Sequence, residues 1–244
     1  MIEIGIILAI FVVAVLYSSV GHGGASGYLA VMALFPFFIE PSVTKPTAFI
    51  LNVFVASIGT WQFYRAGYFS WRIFLPFAIA SIPLSFVGGM INLPIAVYKV
   101  ILGVVLILAA LRLAWKLNAA GADVKAAPIW IALSIGAIIG LLSGLIGVGG
   151  GIFLTPVLLL MNWSETKVAA GVSAMFILVN SIAGLAGNPG QIAQLPRQTW
   201  LWIAAAVVGG VIGSTLGSRK FNSLTLRRVL AVVLLFAGVK LMIV

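Results

Sequence analysis

Apolar residues run along the chain in ten stretches separated by short polar or glycine- and proline-rich breaks. The stretches fall at roughly 4–20, 25–39, 46–64, 71–91, 95–115, 129–146, 151–162, 168–187, 199–217 and 224–244. Within them the hydrophobic positions are continuous rather than alternating, which predicts helices and not the strands of a membrane barrel. A helix needs about 20 apolar residues to cross a bilayer, and most stretches approach that length. The second and seventh are too short to cross comfortably, so they predict broken or re-entrant helices.

The first five stretches resemble the second five. "VGHGGASGYL" (20–29) matches "IGVGGGIFLT" (146–155), and "SVTKPTAFILN" (42–52) matches "SETKVAAGVSA" (164–174). "SFVGG" (85–89) matches "STLGS" (214–218), and "KVILGVVLIL" (99–108) matches "RVLAVVLLFA" (228–237). The spacing between partners stays between 122 and 129 residues. A duplication is therefore predicted, with a first membrane repeat over 1–115, a polar cytoplasmic linker "KLNAAGADVKAAP" over 116–128 and a second repeat over 129–244.

The basic residues decide how the halves are oriented. If stretches one and two together make an even number of crossings, each half is odd and the halves are inverted. One side then receives Arg65, Arg72, Arg112, Lys116, Lys125, Lys167, Arg219, Lys220, Arg227 and Arg228, and the other Lys45, Lys99, Arg197 and Lys240. A single crossing there would divide the same charges seven against seven. The positive-inside rule favours the uneven split, hence inverted halves and both termini outside. The expected fold is all-α integral membrane, with two inverted five-segment repeats and 8–10 transmembrane segments. "MIEIGIILAI" lacks a basic leader and reads as a retained first helix.

Composition supports the membrane reading. Of 244 residues, 63% are hydrophobic and 7% charged, against about 25% charged in soluble domains. The net charge of +10 sits at segment ends, so it reads as orientation signal rather than as a nucleic-acid surface. No cysteine is present, which excludes disulfides and thiolate chemistry. The acids Glu3, Glu40, Asp123 and Glu165 all map to termini or loops, and His22 is the one histidine. No carboxylate pair or metal-ligating cluster is expected within the membrane, so the chain does not read as an enzyme. Trp61, Tyr64, Trp71, Trp115, Trp130, Trp163, Trp200 and Trp202 lie near segment ends and predict interfacial belts, with cavity lining open to Trp61 and Tyr64.

The glycine runs are the candidate site. Gly21, Gly23, Gly24 and Gly27 interrupt one pair of stretches, and Gly147, Gly149, Gly150 and Gly151 interrupt its counterpart. Within a membrane, non-helical backbone is tolerated only inside protein or along a polar cavity. Each run precedes a short helix whose first amides and dipole face the gap. Brought together, two such ends would bind an anion at mid-membrane; the alternative is that the glycines serve only close helix packing. His22 could donate to the anion, carry a coupling proton, or simply bond a nearby carbonyl. Ser26 and Tyr28 could add hydroxyls.

Small and polar residues line the third stretch at Lys45, Ala48, Asn52, Ala56, Gly59 and Gln62. The eighth carries Lys167, Ala170, Ser173, Asn180, Ser181, Gly184 and Gly187. Asn52 and Asn180 could bind substrate or bond across helices. Lys45 and Lys167 read as cations reaching back to headgroups. Gly209, Gly213 and Gly217 form a close-packing row, and Pro76 and Pro83 are candidate kinks.

The motifs "GHGGASGYL" and "GLIGVGGGIFLTPVLL", with the "TK" openings of stretches three and eight, resemble the TauE/SafE family, also called the 4-toluenesulfonate uptake permeases. The second motif, a glycine run followed by an apolar stretch with Pro156, is the more diagnostic. The resemblance covers essentially the whole chain. It implies a small inner-membrane carrier of sulfite, sulfoacetate, taurine-derived or other organosulfonate anions, in a family where both uptake and export are assigned. This chain carries His22 in its first glycine run and no histidine in its second.

The reading is a secondary transporter of such anions by alternating access. The substrate-binding candidates are Gly21, His22, Gly23, Gly24, Ser26, Asn52, Gly147, Gly149, Gly150, Gly151, Asn180 and Ser181. An anion channel, or a carrier of another small anion, is the alternative. No cofactor is expected beyond a coupling proton or sodium ion; uncoupled, potential-driven export is also open. The expected partners are the anionic substrate, membrane lipid and a second copy as a homodimer, with no nucleic acid.

Overall fold

A hydrocarbon environment leaves backbone amides no water to bond, so apolar stretches of this length close their hydrogen bonds internally as helices. The computed structural model describes residues 2–19, 21–34, 40–114, 124–219 and 224–243. Its α-helices are α1 (Ile2–Ser18), α2 (Ala25–Leu34), α3 (Pro41–Arg65), α4 (Trp71–Met90) and α5 (Ile95–Ala114). They are followed by α6 (Ile129–Ile146), α7 (Gly151–Leu160), α8 (Thr166–Ala186), α9 (Thr199–Arg219) and α10 (Leu224–Ile243), and a 3-10 turn covers Pro189–Gln194. Among the described residues there is no strand.

Helix α3 begins several residues before its apolar stretch. Pro41 occupies its first position, where a missing N–H costs nothing, and Glu40 precedes it in extended conformation. Among the described residues, α3, α4, α6, α8 and the Thr199–Leu216 part of α9 are long and apolar enough to cross a membrane. Helices α2 and α7 have ten residues each and are not. Most of the linker, and Trp115, lie outside the described residues; at its end Lys125 N–H donates to Asn162 O at 2.8 Å.

The most extensive helix pairings run across the two halves of the chain. Helix α4 packs on α6 and α1 on α9; α4 also touches α8 as α3 touches α9; α3 crosses α8 and α5 lies on α10. Exchanging the first five helices for the second five turns this set of pairings into itself. Contact register gives their directions. Gly136, Gly140 and Gly144 of α6 lie against Phe77, Ser81 and Ser85 of α4, so these helices run parallel. Gly209 and Gly213 of α9 lie against Phe11 and Val15 of α1, again parallel. Phe49, Asn52 and Gly59 of α3 meet Gly184, Ser181 and Ala174 of α8, which is antiparallel.

Glycine brings the paired backbones together. A Cβ on Gly140 would run into the Ser81 carbonyl, and one on Gly213 into that of Val15. Gly209 and Gly213 therefore do the close packing expected of their row, while the surroundings of Gly217 lie outside the described residues. Gly140→Ala should lower thermal stability in detergent by about 1–3 kcal/mol through overpacking. Gly59→Ala is the contrasting case. Its Cβ would meet only Ala174 Cβ at 3.8 Å, and a mid-helix glycine carries about 0.5–1 kcal/mol of backbone entropy relative to alanine. That variant should melt at or above wild type.

The aromatic belt is smaller than the sequence suggests. Trp61, Trp71, Trp130 and Trp200 are exposed, as membrane-interface residues would be outside a bilayer. Trp163 and Trp202 are buried and belong to the core. Trp163 packs at 6.1 Å from the Phe77 ring. Trp61 and Tyr64 face outward, and Arg65 stacks over the Trp61 ring at 5.3 Å.

Candidate functional site

Both glycine runs build the same kind of helix interruption. In the first, Gly21 takes φ +76° just after α1, and Gly24 takes φ +97° just before α2. The amides of Gly21 and His22 turn back onto Ser18 O and Tyr17 O, closing the end of α1. In the second, Gly147 (φ +87°) ends α6 by donating to Ser143 O, and Gly150 (φ +83°) starts α7. The positions correspond: 147 − 21 and 150 − 24 both equal 126. Left-handed backbone is what glycine supplies without a Cβ penalty. In each case the following helix begins with amides that have no intrahelical acceptor.

The two interruptions converge. A Cβ on Gly23 would lie 2.7 Å from Asn52 Oδ1 and 2.9 Å from Ile177 Cγ2. A Cβ on Gly149 would lie 2.7 Å from Asn52 Nδ2, 2.9 Å from Ile177 Cγ2 and 3.0 Å from Ser181 Oγ. The same two side chains, one from α3 and one from α8, therefore separate the runs where those helices cross. Gly21 abuts Ala170 at the start of α8, and Gly147 abuts Lys45 near the start of α3. Gly151 packs on Ile177, while Gly27 packs on Val13 and Tyr17 of α1.

Asn52 is fully buried and bridges the halves. Its Nδ2 donates to Val148 O and to Ser181 Oγ, both at 3.3 Å, and its Oδ1 has no hydrogen-bond partner. His22 is buried, with Nε2 3.3 Å from Thr155 Oγ1 on α7. Thr155 Oγ1 lies 2.7 Å from Ser173 Oγ and donates to Gly151 O, so a chain of polar groups runs from the first interruption to α8. Ser26 Oγ donates to Tyr17 OH at 3.0 Å, and Tyr28 OH is buried without a partner.

Asn180 faces a different neighbour. Its Oδ1 accepts from Ser81 Oγ, its Nδ2 donates to Phe176 O at 2.8 Å, and its carbonyl accepts from Ser85 Oγ at 2.8 Å. These bonds tie α8 to α4 and occupy both amide atoms. Ser181, the next residue, reaches Asn52 instead, because successive helix positions point about 100° apart.

The two lysines also differ from each other. Lys167 is exposed and lies over the Tyr68 ring at 4.7 Å. Lys45 does not reach back to the headgroups: it is only 3% exposed. Its Nζ donates to Ile91 O at 3.0 Å, Gly89 O at 3.1 Å and Gly88 O at 3.4 Å, the carbonyls that end α4. A cation suits the negative end of a helix. The anchored lysine is also the residue that packs against Gly147 of the second interruption.

Sequence reasoning passed over Ile177, Thr155 and the anchoring role of Lys45. Ile177 lies in an apolar run with no distinguishing signal, and Thr155 sits one turn beyond the glycines, where its spacing from Gly151 was the available hint. Among the described residues no group of three or more metal-ligating side chains exists.

No solved structure matches the chain. A protein called "Probable membrane transporter protein y4hK" from Sinorhizobium fredii is 42% identical over 243 residues, covering 98% of each chain. "Probable membrane transporter protein MJ0441" from Methanocaldococcus jannaschii is 28% identical over 189 residues, 74% of this chain and 70% of that one. "Probable membrane transporter protein YunE" from Bacillus subtilis is 29% identical over 116 residues, 46% of this chain and 40% of its own. The family model described as "Sulfite exporter TauE/SafE" matches residues 6–241. A helical bundle with membrane-length spans, two matching glycine interruptions and a match along nearly its whole length make this chain a member of the TauE/SafE sulfite exporter family of membrane transporters.

Proposed function

We propose that the protein is a secondary transporter of small sulfur-containing anions, sulfite or organosulfonates such as sulfoacetate and taurine-derived sulfonates, working by alternating access. The observation that carries this is the convergence of Gly23 and Gly149 on Asn52 and Ile177. Amides at the starts of α2 and α7 are oriented donors for sulfonate or sulfite oxygens. His22 adds a side-chain donor and Lys45 a cationic side chain beside Gly147, while Asn52, whose two Nδ2 hydrogens go to Val148 O and Ser181 Oγ, ties the interruptions together. Asn180 is left out of the substrate contacts, since Ser81 of α4 occupies its amide oxygen and Phe176 O of its own helix its Nδ2.

Two inverted halves, 1–115 and 129–244 joined by a cytoplasmic linker, are part of the proposal. The self-exchanging helix pairings and the antiparallel crossing of α3 and α8 support it. Rocking one half against the other would open the central groups to each side in turn. The same reading puts the chain in the inner membrane with both termini outside, and allows a homodimer.

Purified protein in liposomes should carry labelled sulfite or sulfoacetate with saturable kinetics, more slowly than a channel conducts. Unsaturable, channel-like conductance, or no flux with any sulfur oxyanion, would overturn the proposal. His22→Ala tests coupling in the same liposomes. If His22 carries the proton, the variant should bind the anion more weakly and also lose the acceleration of flux by an imposed pH gradient, measured at saturating substrate. An unchanged pH response with a dependence on sodium would assign coupling to the cation.

A further inference from the structure

A hollow of about 380 Å³ lies on the flank of the bundle, apart from the glycine interruptions. Its walls are Ile50, Val53 and Phe54 of α3, Leu185 of α8 and Trp200 and Ile203 of α9. Phe54 and Trp200 are exposed, so the hollow lies on a surface of membrane-length helices that faces hydrocarbon.

One end of it is polar. Arg197 and Thr199 line it there, beside the apolar Ile192, Leu195 and Pro196, and no acidic residue contributes. Arg197 is exposed at the approach to α9. Thr199, the first residue of α9, is buried, and its hydroxyl has no partner. The neighbouring carboxylate of Glu3 is engaged by Gln198 Nε2 at 3.2 Å. A guanidinium, an unpartnered hydroxyl and the positive end of a 21-residue helix all favour negative charge at this one place. Trp200 beside them has the amphipathic ring that settles at headgroup level, while the walls on α3 continue toward the membrane interior.

We propose that this hollow is a binding site for an anionic phospholipid, with an acyl chain along Ile50, Val53 and Phe54 and the phosphate at Arg197 and the start of α9. The apolar walls select a hydrocarbon chain, and the polar end selects its charge. A zwitterionic lipid offers the same chain, but its ammonium weakens the match to Arg197.

The test uses the full chain in mild detergent, with dioleoylphosphatidylglycerol or dioleoylphosphatidylcholine added in equal amounts and bound lipid read by native mass spectrometry. Wild type should retain phosphatidylglycerol with about five-fold preference, the effect of one basic group near an anionic headgroup. Arg197→Gln should abolish that preference. Val53→Trp, which fills the hollow, should reduce retention of both lipids. Inorganic phosphate at millimolar concentration should not displace phosphatidylglycerol. Equal retention of the two lipids by wild type, an undiminished preference in R197Q, or displacement by phosphate alone would overturn the proposal. Arg197 is exposed, so R197Q carries the test even where V53W does not fold.

Discussion

A Lys45→Met variant is expected to lose most of its folded yield, and the remainder to unfold well below wild type. The side chain is almost wholly buried, and its ammonium is the hydrogen-bond donor to Gly88, Gly89 and Ile91 carbonyls. The last carbonyls of a helix have no intrahelical donor. With methionine there, those oxygens remain buried without partners. A hydrogen bond to a charged group contributes about 1.5–3 kcal/mol, and the three here are not additive. A net loss of about 3 kcal/mol is expected, large against the 5–15 kcal/mol that typically holds a domain together. Lys45→Arg keeps the charge but must fit a wider fork beside Gly147, so it should retain more folded protein than Lys45→Met. Fluorescence-detected size exclusion and thermal melts in detergent would check both. A lysine merely reaching headgroups would leave Lys45→Met close to wild type, and that result would remove Lys45 from the core of the site.

Gly149→Ala should abolish transport, with flux falling by about 100-fold or more, the scale that accompanies displacement of a binding group by an ångström. Two causes act together. The left-handed backbone at φ +79° penalises an L side chain by about 1–2 kcal/mol. The new methyl group would also sit 2.7 Å from Asn52 Nδ2, forcing that amide off Val148 O and Ser181 Oγ. Gly23→Ala separates the causes. Gly23 is not among the positive-φ glycines, so its only obstacle is collision with Asn52 and Ile177. It should lose flux while keeping most of its stability. Gly67→Ala is the reverse control, with φ +77° and open space around its Cβ. It should lose stability alone, with flux per folded molecule unchanged. Liposome uptake normalised to folded protein distinguishes the three, and wild-type flux in both Gly23→Ala and Gly149→Ala would show that the interruptions do not handle substrate.

The helices were legible to within a few residues because every membrane-facing segment must be apolar along its length. Stretch 129–146 is α6 to the residue, and 71–91 differs from α4 at one end only. The glycine interruptions were legible for a related reason: runs of glycine have no advantage inside a helix, so they mark where the chain stops being one. The early start of α3 was not, because Pro41 ends the apolar pattern while still being a good first helical residue.

Partner choice was not legible. Trp163 and Trp202 stand at segment ends like Trp130 and Trp200, yet the first two are buried and the others exposed. Hydropathy reports how apolar a residue is, and lipid and protein interior are equally apolar, so it cannot say which of them covers an indole. Asn180 and Ser181 are adjacent, but one bonds α4 and the other Asn52. Lys45 and Lys167 open matching helices, but only Lys45 meets the carbonyl end of another helix. The amino-acid order alone was enough to specify apolar helices, most of their limits and the two places where helix gives way, since those follow from local solvation and backbone freedom. Which side chains stand between the two interruptions depended on helices more than a hundred residues apart coming into contact, and which lysine is buried depended on the end of a helix 43–46 residues further along; no local preference encodes either.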